Sequence, residues 1–216
     1  IRINNSNLKS FEGLRKFSLK FFDNFLFEFL EKNKDKLKNT LIVLSSDHGK
    51  VFANNVSALN NKKLCGSFQE DYLRIPFLFY NQNQDFRKIE NLISSIDLLP
   101  TLIEILDLKS PNLETLGINA FKKKDDVVFA EHRFRGPDLL NKKKGINYYC
   151  VKNRDFKYIY KEKLHIQDKV EDKEILVNYK TDISENINII NNPDFQKILI
   201  SLKEKLKLRM NNLNKF

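Results

Sequence analysis

Little in this chain punctuates it. Six glycines and five prolines are spread over 216 residues, so no Gly- or Pro-rich linker marks a domain boundary, and boundaries have to be read from charge clusters. Only two cysteines occur, Cys65 and Cys150. They stand far apart, without a CxxC or a Cys/His cluster, which excludes a zinc-finger site and a disulfide framework but leaves one pairing open. The longest apolar stretches, at 40–44 and 96–106, fall well short of the ~20 residues that span a bilayer. No transmembrane helix is therefore expected. No repeat of solenoid length is visible. The first residue is Ile1, and no charged start running into an apolar segment precedes the fold. The native N-terminus, with any leader, is expected to lie outside these residues.

What is present is the composition of a folded protein. A hydrophobic fraction of 41% is enough for one substantial core with a smaller attached subdomain. Charged residues make up 31% and the net charge is +10, a balance that suits acidic partners: nucleic acid, anionic lipid, or sulfated and phosphorylated substrates. The lysines at 31–38 and 122–124 are scattered and not interleaved with stacking aromatics. They read as solvated faces, and no nucleic-acid partner is expected.

Periodicity supplies the elements. Phe17, Phe21, Phe22, Phe25, Leu26, Phe29 and Leu30 recur at helical steps with Lys20, Asp23, Asn24 and Glu28 between them, which predicts an amphipathic helix whose aromatic stripe packs into a core. After a polar break, residues 40–44 (Thr-Leu-Ile-Val-Leu) form a continuous β-branched and aliphatic run that suits a strand buried on both faces of a parallel sheet. A second strand at 76–80 and a helix over 95–106, with Asp97 and Pro100 near its start, continue an α/β alternation. From about residue 125 the pattern changes to short strands at 127–130, 146–151 and 156–160 joined by charged turns, an antiparallel arrangement. A helix over 194–208 is expected to lie across it through Phe195, Ile198, Leu199, Leu202 and Leu206. The expected fold is α/β: a helix-covered, mostly parallel sheet over 1–124, and a small antiparallel sheet plus helix over 125–216.

The chemistry concentrates at Ser45-Ser46-Asp47-His48-Gly49, directly after the first strand, where open α/β sheets place their ligand sites. Asp47 offers carboxylate oxygens and His48 an imidazole nitrogen, both usable by a divalent cation, and Gly49 permits a sharp exit. The plainer alternative makes Asp47 a cap and His48 a loop histidine. Glu131-His132-Arg133 follows a strand end, where His132 could donate a proton and Arg133 clamp an anion. Ordinary hydrogen-bonded surface groups would look the same. His165 lies in a charged turn and suggests nothing further.

Taken in order, these segments resemble the sulfatase family of the alkaline-phosphatase-like superfamily. The matching stretches are the helix at 21–30, "NTLIVLSSDHG" at 39–49, "RIPFLFY" at 74–80, "IDLLPTL" at 96–102, Val128-Phe129-Ala130-Glu131, the "KYI" strand at 154–159, and 178–186, which is like the family's "YDLxxDPxExxN" turn. The resemblance implies hydrolysis of sulfate esters of a small molecule or glycan. It implies a divalent metal, calcium by family usage, with Asp47 and His48 among its ligands and further acidic ligands upstream; imidazole ligation keeps manganese and zinc open. It also implies a formylglycine nucleophile made from a Cys or Ser in a CxPxR-type motif. Neither Cys65 nor Cys150 has that context, so no catalytic nucleophile is assignable here and this stretch alone is expected to be inactive. The family's sulfate-binding lysine maps by simple count to Cys65, which makes Lys62 and Lys63 candidates only with a small shift; a solvated loop pair is the alternative.

Two rivals remain. Phosphoethanolamine and phosphoglycerol transferases of the same superfamily carry "SDHG" too, but with a glutamate after the glycine and another histidine nearby. Here Lys50 follows Gly49, and no histidine occurs between His48 and His132. A non-catalytic basic binding module would rest on the +10 charge alone.

Overall fold

The structure is a computed structural model, and it describes residues 11–50, 64–83, 88–109, 115–124, 126–134, 146–163 and 172–213. The chain divides into two compact units. The first is drawn from 1–62 and 69–87, the second from 63–68 and 88–216.

In the first unit, helix α1 (Phe11–Lys32) ends where the Asn33 side chain donates to the Phe29 carbonyl at 2.8 Å, competing with the helical ladder as Asn does at helix ends. Strand β1 (Ile42–Ser45) follows and pairs with β2 (Phe77–Tyr80). Asn83 and Gln82, just past β2, donate to the carbonyls of Lys38 and Lys34 in the turn before β1, closing the far end of the ribbon. Helix α2 (Glu70–Leu73) precedes β2.

Two expectations are corrected here. The β1–β2 pair is antiparallel, with Val43 opposite Phe79 and Ser45 opposite Phe77, and no parallel pairing occurs among the described residues. An unbroken apolar run fixes neither strand direction nor burial, and Ile42, Val43 and Leu44 are only half-buried. The aromatic stripe of α1 is also open: Phe21, Phe22 and Phe25 are 59%, 48% and 60% exposed. Among the described residues no element covers that face, whereas Phe17, Leu26 and Leu30 are half-buried.

The second unit contains the antiparallel sheet expected after residue 125, together with residues 88–124. Its strands are β3 (Val128–Phe134), β4 (Ile146–Lys152), β5 (Phe156–Lys163) and β6 (Glu174–Asn178), paired in that order. Asn153 makes the β4–β5 turn, its side-chain oxygen accepting from the amides of Asp155 and Phe156. Alternation sends Phe129, Val151, Tyr158 and Leu176, which stand in register across the four strands, to one face. Helix α4 (Gln196–Leu213) covers it, setting Leu199, Leu202 and Leu206 against Val151, Phe156, Tyr158 and Leu176. Each buried leucine contributes about 1.5–3 kcal/mol. A Pro193–Phe195 3-10 turn leads into α4, capped by the Asn192 side chain on the Asp194 amide.

A second polar anchor lies at the start of α3 (Leu98–Ile105). Asp97 is 1% exposed. Its carboxylate accepts from the Ser94 and Ile118 amides, each at 2.9 Å, and from Lys123 Nζ at 2.6 Å. Thr101 donates to the Asp97 carbonyl and accepts from the Ala120 amide. These bonds tie residues 117–123 to the helix start. Gly117 lies so close that a Cβ would stand 2.0 Å from the Ile96 carbonyl oxygen.

Candidate metal-binding loop

β1 ends at Ser45, and the chain turns at once. Asp47 Oδ1 accepts from the His48 amide at 2.8 Å, and Ser46 donates from its hydroxyl to the His48 carbonyl at 2.9 Å. This turn bends the backbone out of the strand alternation that would send two neighbouring side chains to opposite faces. His48 Nε2 and Asp47 Oδ2 come within 3.7 Å of each other. Both side chains are exposed, 65% and 84%, and the imidazole has one ring neighbour, Tyr72, at 6.3 Å between centroids.

His48 Nδ1 lies 2.6 Å from the Gly49 carbonyl oxygen. A carbonyl only accepts, so Nδ1 donates; in the neutral ring the lone pair then falls on Nε2, the atom facing Asp47. Asp47 is held below the ordinary carboxylate range, first by the bond from the His48 amide and then by the nearby imidazole. The Asp47 carboxylate and Nε2 of the His48 ring therefore face one position. Their 3.7 Å separation suits two ligands of one cation, given metal–ligand distances of ~2.0–2.6 Å. The donor set fits a divalent metal, though among the described residues no third carboxylate, His or Cys joins the pair.

Sequence reasoning passed over what holds this loop. Gly49 N donates to the Tyr72 carbonyl at 2.8 Å, and a Cβ on Gly49 would lie 2.0 Å from the Asp71 carbonyl oxygen. The loop is thus pinned by backbone to α2. The glycine in "SDHG" was the one signal for it.

The other candidates fall elsewhere. His132 is on β3 in the second unit, exposed, its ring 6.1 Å from that of Tyr148. Strand alternation puts it on the face away from α4. Arg133 is a β3 residue whose side chain lies outside the described set, and Lys62, Lys63 and His165 lie outside the described residues. Cys65, where the simple count placed the family's lysine, is buried, and burial pushes its thiol well above the usual value. A thiol so held is no anion clamp and no nucleophile. Cys65 and Cys150 are both buried and form no disulfide with each other, which closes the question of their pairing.

Known structures share this fold. The phosphonate monoester hydrolase of Agrobacterium radiobacter superposes with a TM-score of 0.67 at 20% identity, covering 88% of this chain and 39% of that one. BT4656, solved in complex with its substrate D-glucosamine-2-N,6-O-disulfate, superposes at 0.56 and 19%, covering 89% and 38%. The chain has the fold of part of each of these structures. In sequence, residues 16–108 match the Sulfatase family model, and the uncharacterized sulfatase YidJ of Escherichia coli is 28% identical over 101 residues, 46% of this chain. Over that stretch the chain is similar to the sulfatase family. Its matched stretch spans 20% of the length of the E. coli relative.

Proposed function

We propose that the chain supplies part of the metal site of a sulfuric ester hydrolase acting on a sulfated small molecule or glycan. The observation that carries this reading is the approach of His48 Nε2 to Asp47 Oδ2 at 3.7 Å, with Nδ1 tied off on Gly49. The ionised Asp47 offers charge, His48 offers a lone pair of fixed direction, and the Gly49–Tyr72 bond keeps both in place. A divalent cation bound there would polarise the ester oxygen and orient the nucleophile. Calcium is the metal the resemblance implies; the imidazole suits manganese or zinc. Formylglycine is the implied nucleophile, and neither Cys65 nor Cys150 has the context to become it. Lys63 and Arg133 are the cations we assign to the anionic ester, and His132 is the available proton donor.

The test is titration of the chain with Ca2+, Mn2+ and Zn2+, with Asp47→Ala as control, and assay of the intact protein on an aryl sulfate. Metal binding that Asp47→Ala leaves untouched would rule out the site. A second reading has support from the phosphonate monoester hydrolase likeness: the same loop serving a phosphonate or phosphate ester. Faster turnover of an aryl phosphonate than of the aryl sulfate would favour it.

A further inference from the structure

The two faces of the four-stranded sheet differ. The face away from α4 is closed by a buried ion pair: Lys157, 0% exposed, donates from Nζ to Glu185 Oε1 at 2.9 Å. The α4 face is left partly open. The helix meets it through Lys203, paired with Glu174 on β6, and through Arg209, paired with Glu131 on β3. Between those two carboxylates, in the same register row, stand Tyr149 on β4 and Tyr160 on β5. Their rings are near-parallel, with 21° between planes and 6.5 Å between centroids. Both pack against the core yet are only half-buried.

One row further out, Asn147 faces Glu162 across the same two strands. Glu162 Oε2 accepts from the Tyr149 hydroxyl at 3.1 Å and from Asn147 Nδ2 at 3.0 Å. Burial and then the Glu162 carboxylate raise the Tyr149 pKa, so that hydroxyl keeps the proton it donates. The two bonds hold the carboxylate still and leave Oε1 without a partner among the described residues. Lys173 brings an exposed ammonium to 5.6 Å from the Tyr160 ring centroid. Glu131, Glu162 and Glu174 thus stand among Lys173, Lys203 and Arg209, and the patch is neutral on a chain of net charge +10.

Ring surface beside open acceptors and a donor, without net charge, suits an uncharged polyol. A sugar ring has a face of C–H groups that packs on an aromatic ring, and hydroxyls that donate to a carboxylate or amide oxygen and accept from an ammonium. We infer that Tyr149, Tyr160, Asn147 and Glu162 form a binding site for an uncharged saccharide unit. The tyrosines carry the C–H face, Glu162 Oε1 and Asn147 Oδ1 take hydroxyl hydrogens, and Lys173 donates to a hydroxyl oxygen. A sulfated unit is disfavoured, because its charge meets the Glu162 carboxylate. The site itself does not rest on the function proposed above; its use to hold the unsulfated part of a glycan ester does.

The experiment is an NMR titration of the chain with maltose, cellobiose and lactose, and with a sulfated lactose. At least one uncharged disaccharide is expected to shift the Tyr149, Tyr160 and Glu162 amides saturably, and the sulfated sugar to bind more weakly than it. Tyr160→Ala and Glu162→Ala should each weaken that binding at least ~10-fold, as loss of a central contact does. Asp47→Ala should bind the sugar as the parent does. No saturable shift from any of the three, shifts gathered elsewhere, or tighter binding of the sulfated sugar would overturn the inference. Loss of sugar binding in Asp47→Ala would place the sugar at the metal loop and overturn it too. Should Tyr160→Ala fail to fold, parental affinity in Glu162→Ala is enough to overturn it. If the intact protein turns over no sulfate ester, the proposed function fails, and the titration still decides the saccharide site.

Discussion

The amide of Gly49 donates to the carbonyl of Tyr72 at 2.8 Å, an approach so close that a Cβ at residue 49 would stand 2.0 Å from the carbonyl oxygen of Asp71. Both partners are backbone, so neither can swing aside. Gly49→Ala is expected to cost about 1–3 kcal/mol, as overpacking does, and to weaken divalent-cation binding by shifting His48. Thermal denaturation and a Mn2+ titration check both effects; a variant unchanged in each would show that the loop has room to move.

Asp47→Ala removes a carboxylate whose side chain is 84% exposed, so the fold is expected to persist within about 0.5 kcal/mol. Divalent-cation affinity is expected to drop at least ~100-fold, more than the loss of an outer partner causes. Calorimetric titration of parent and variant decides this. Equal affinities would remove Asp47 from the site.

Asp97→Ala acts on stability alone. It strands the Lys123 ammonium, 7% exposed, and orphans the Ser94 and Ile118 amides. Breaking a buried pair from one side costs ~3–5 kcal/mol. Chemical denaturation should show a loss of this size, whereas Asp97→Ala/Lys123→Met is expected to recover part of it.

Acid should loosen the 182–187 loop. Burial alone would raise the Asp182 pKa, but the Ser184 hydroxyl and the amides of Ile187 and Asn186 outweigh it and hold the group below the usual value. A folded pKa below the unfolded one stabilises above the unfolded pKa of ~3.9, and that contribution is lost as pH falls through the lowered folded value. Carboxyl chemical shifts followed by NMR should place the Asp182 midpoint below those of solvated aspartates, and Asp182→Asn should abolish the accompanying shifts of the Asn186 and Ile187 amides. A midpoint in the ordinary range would contradict this.

Much of the architecture was readable from periodicity. The α1 pattern, the strands at 42–45, 77–80, 146–152 and 156–163, and the Leu199–Leu202–Leu206 stripe all appear where apolar spacing puts them. What failed shares a cause: spacing reports which residues are apolar, not what meets them. It could not tell that β1 pairs antiparallel or that the α1 phenylalanines stand open. It passed over β6, because Ile175, Leu176 and Val177, all 0% exposed, are too few to show a period between charged neighbours. Nothing in the spacing marks Lys157 or Asp97 as buried, since a charged side chain is buried only when a distant partner meets it. Asp47 and His48 stood out as candidates because both ligand types fall on consecutive residues at a strand end.

The burial of Lys157 also bears on how the sheet finds its pairing. β5 alternates Phe156 and Tyr158 toward α4 with Lys157 and Ile159 away from it. A slip of one residue would turn the ammonium into the Leu202 and Leu206 side of the sheet, away from Glu185. Apolar neighbours alone would penalise that error weakly, because isoleucine, valine and tyrosine interchange on a pleated face at small cost. A lone charge in hydrocarbon penalises it by several kcal/mol. The residue least suited to a core is thus the one that makes misaligned sheets too unfavourable to persist.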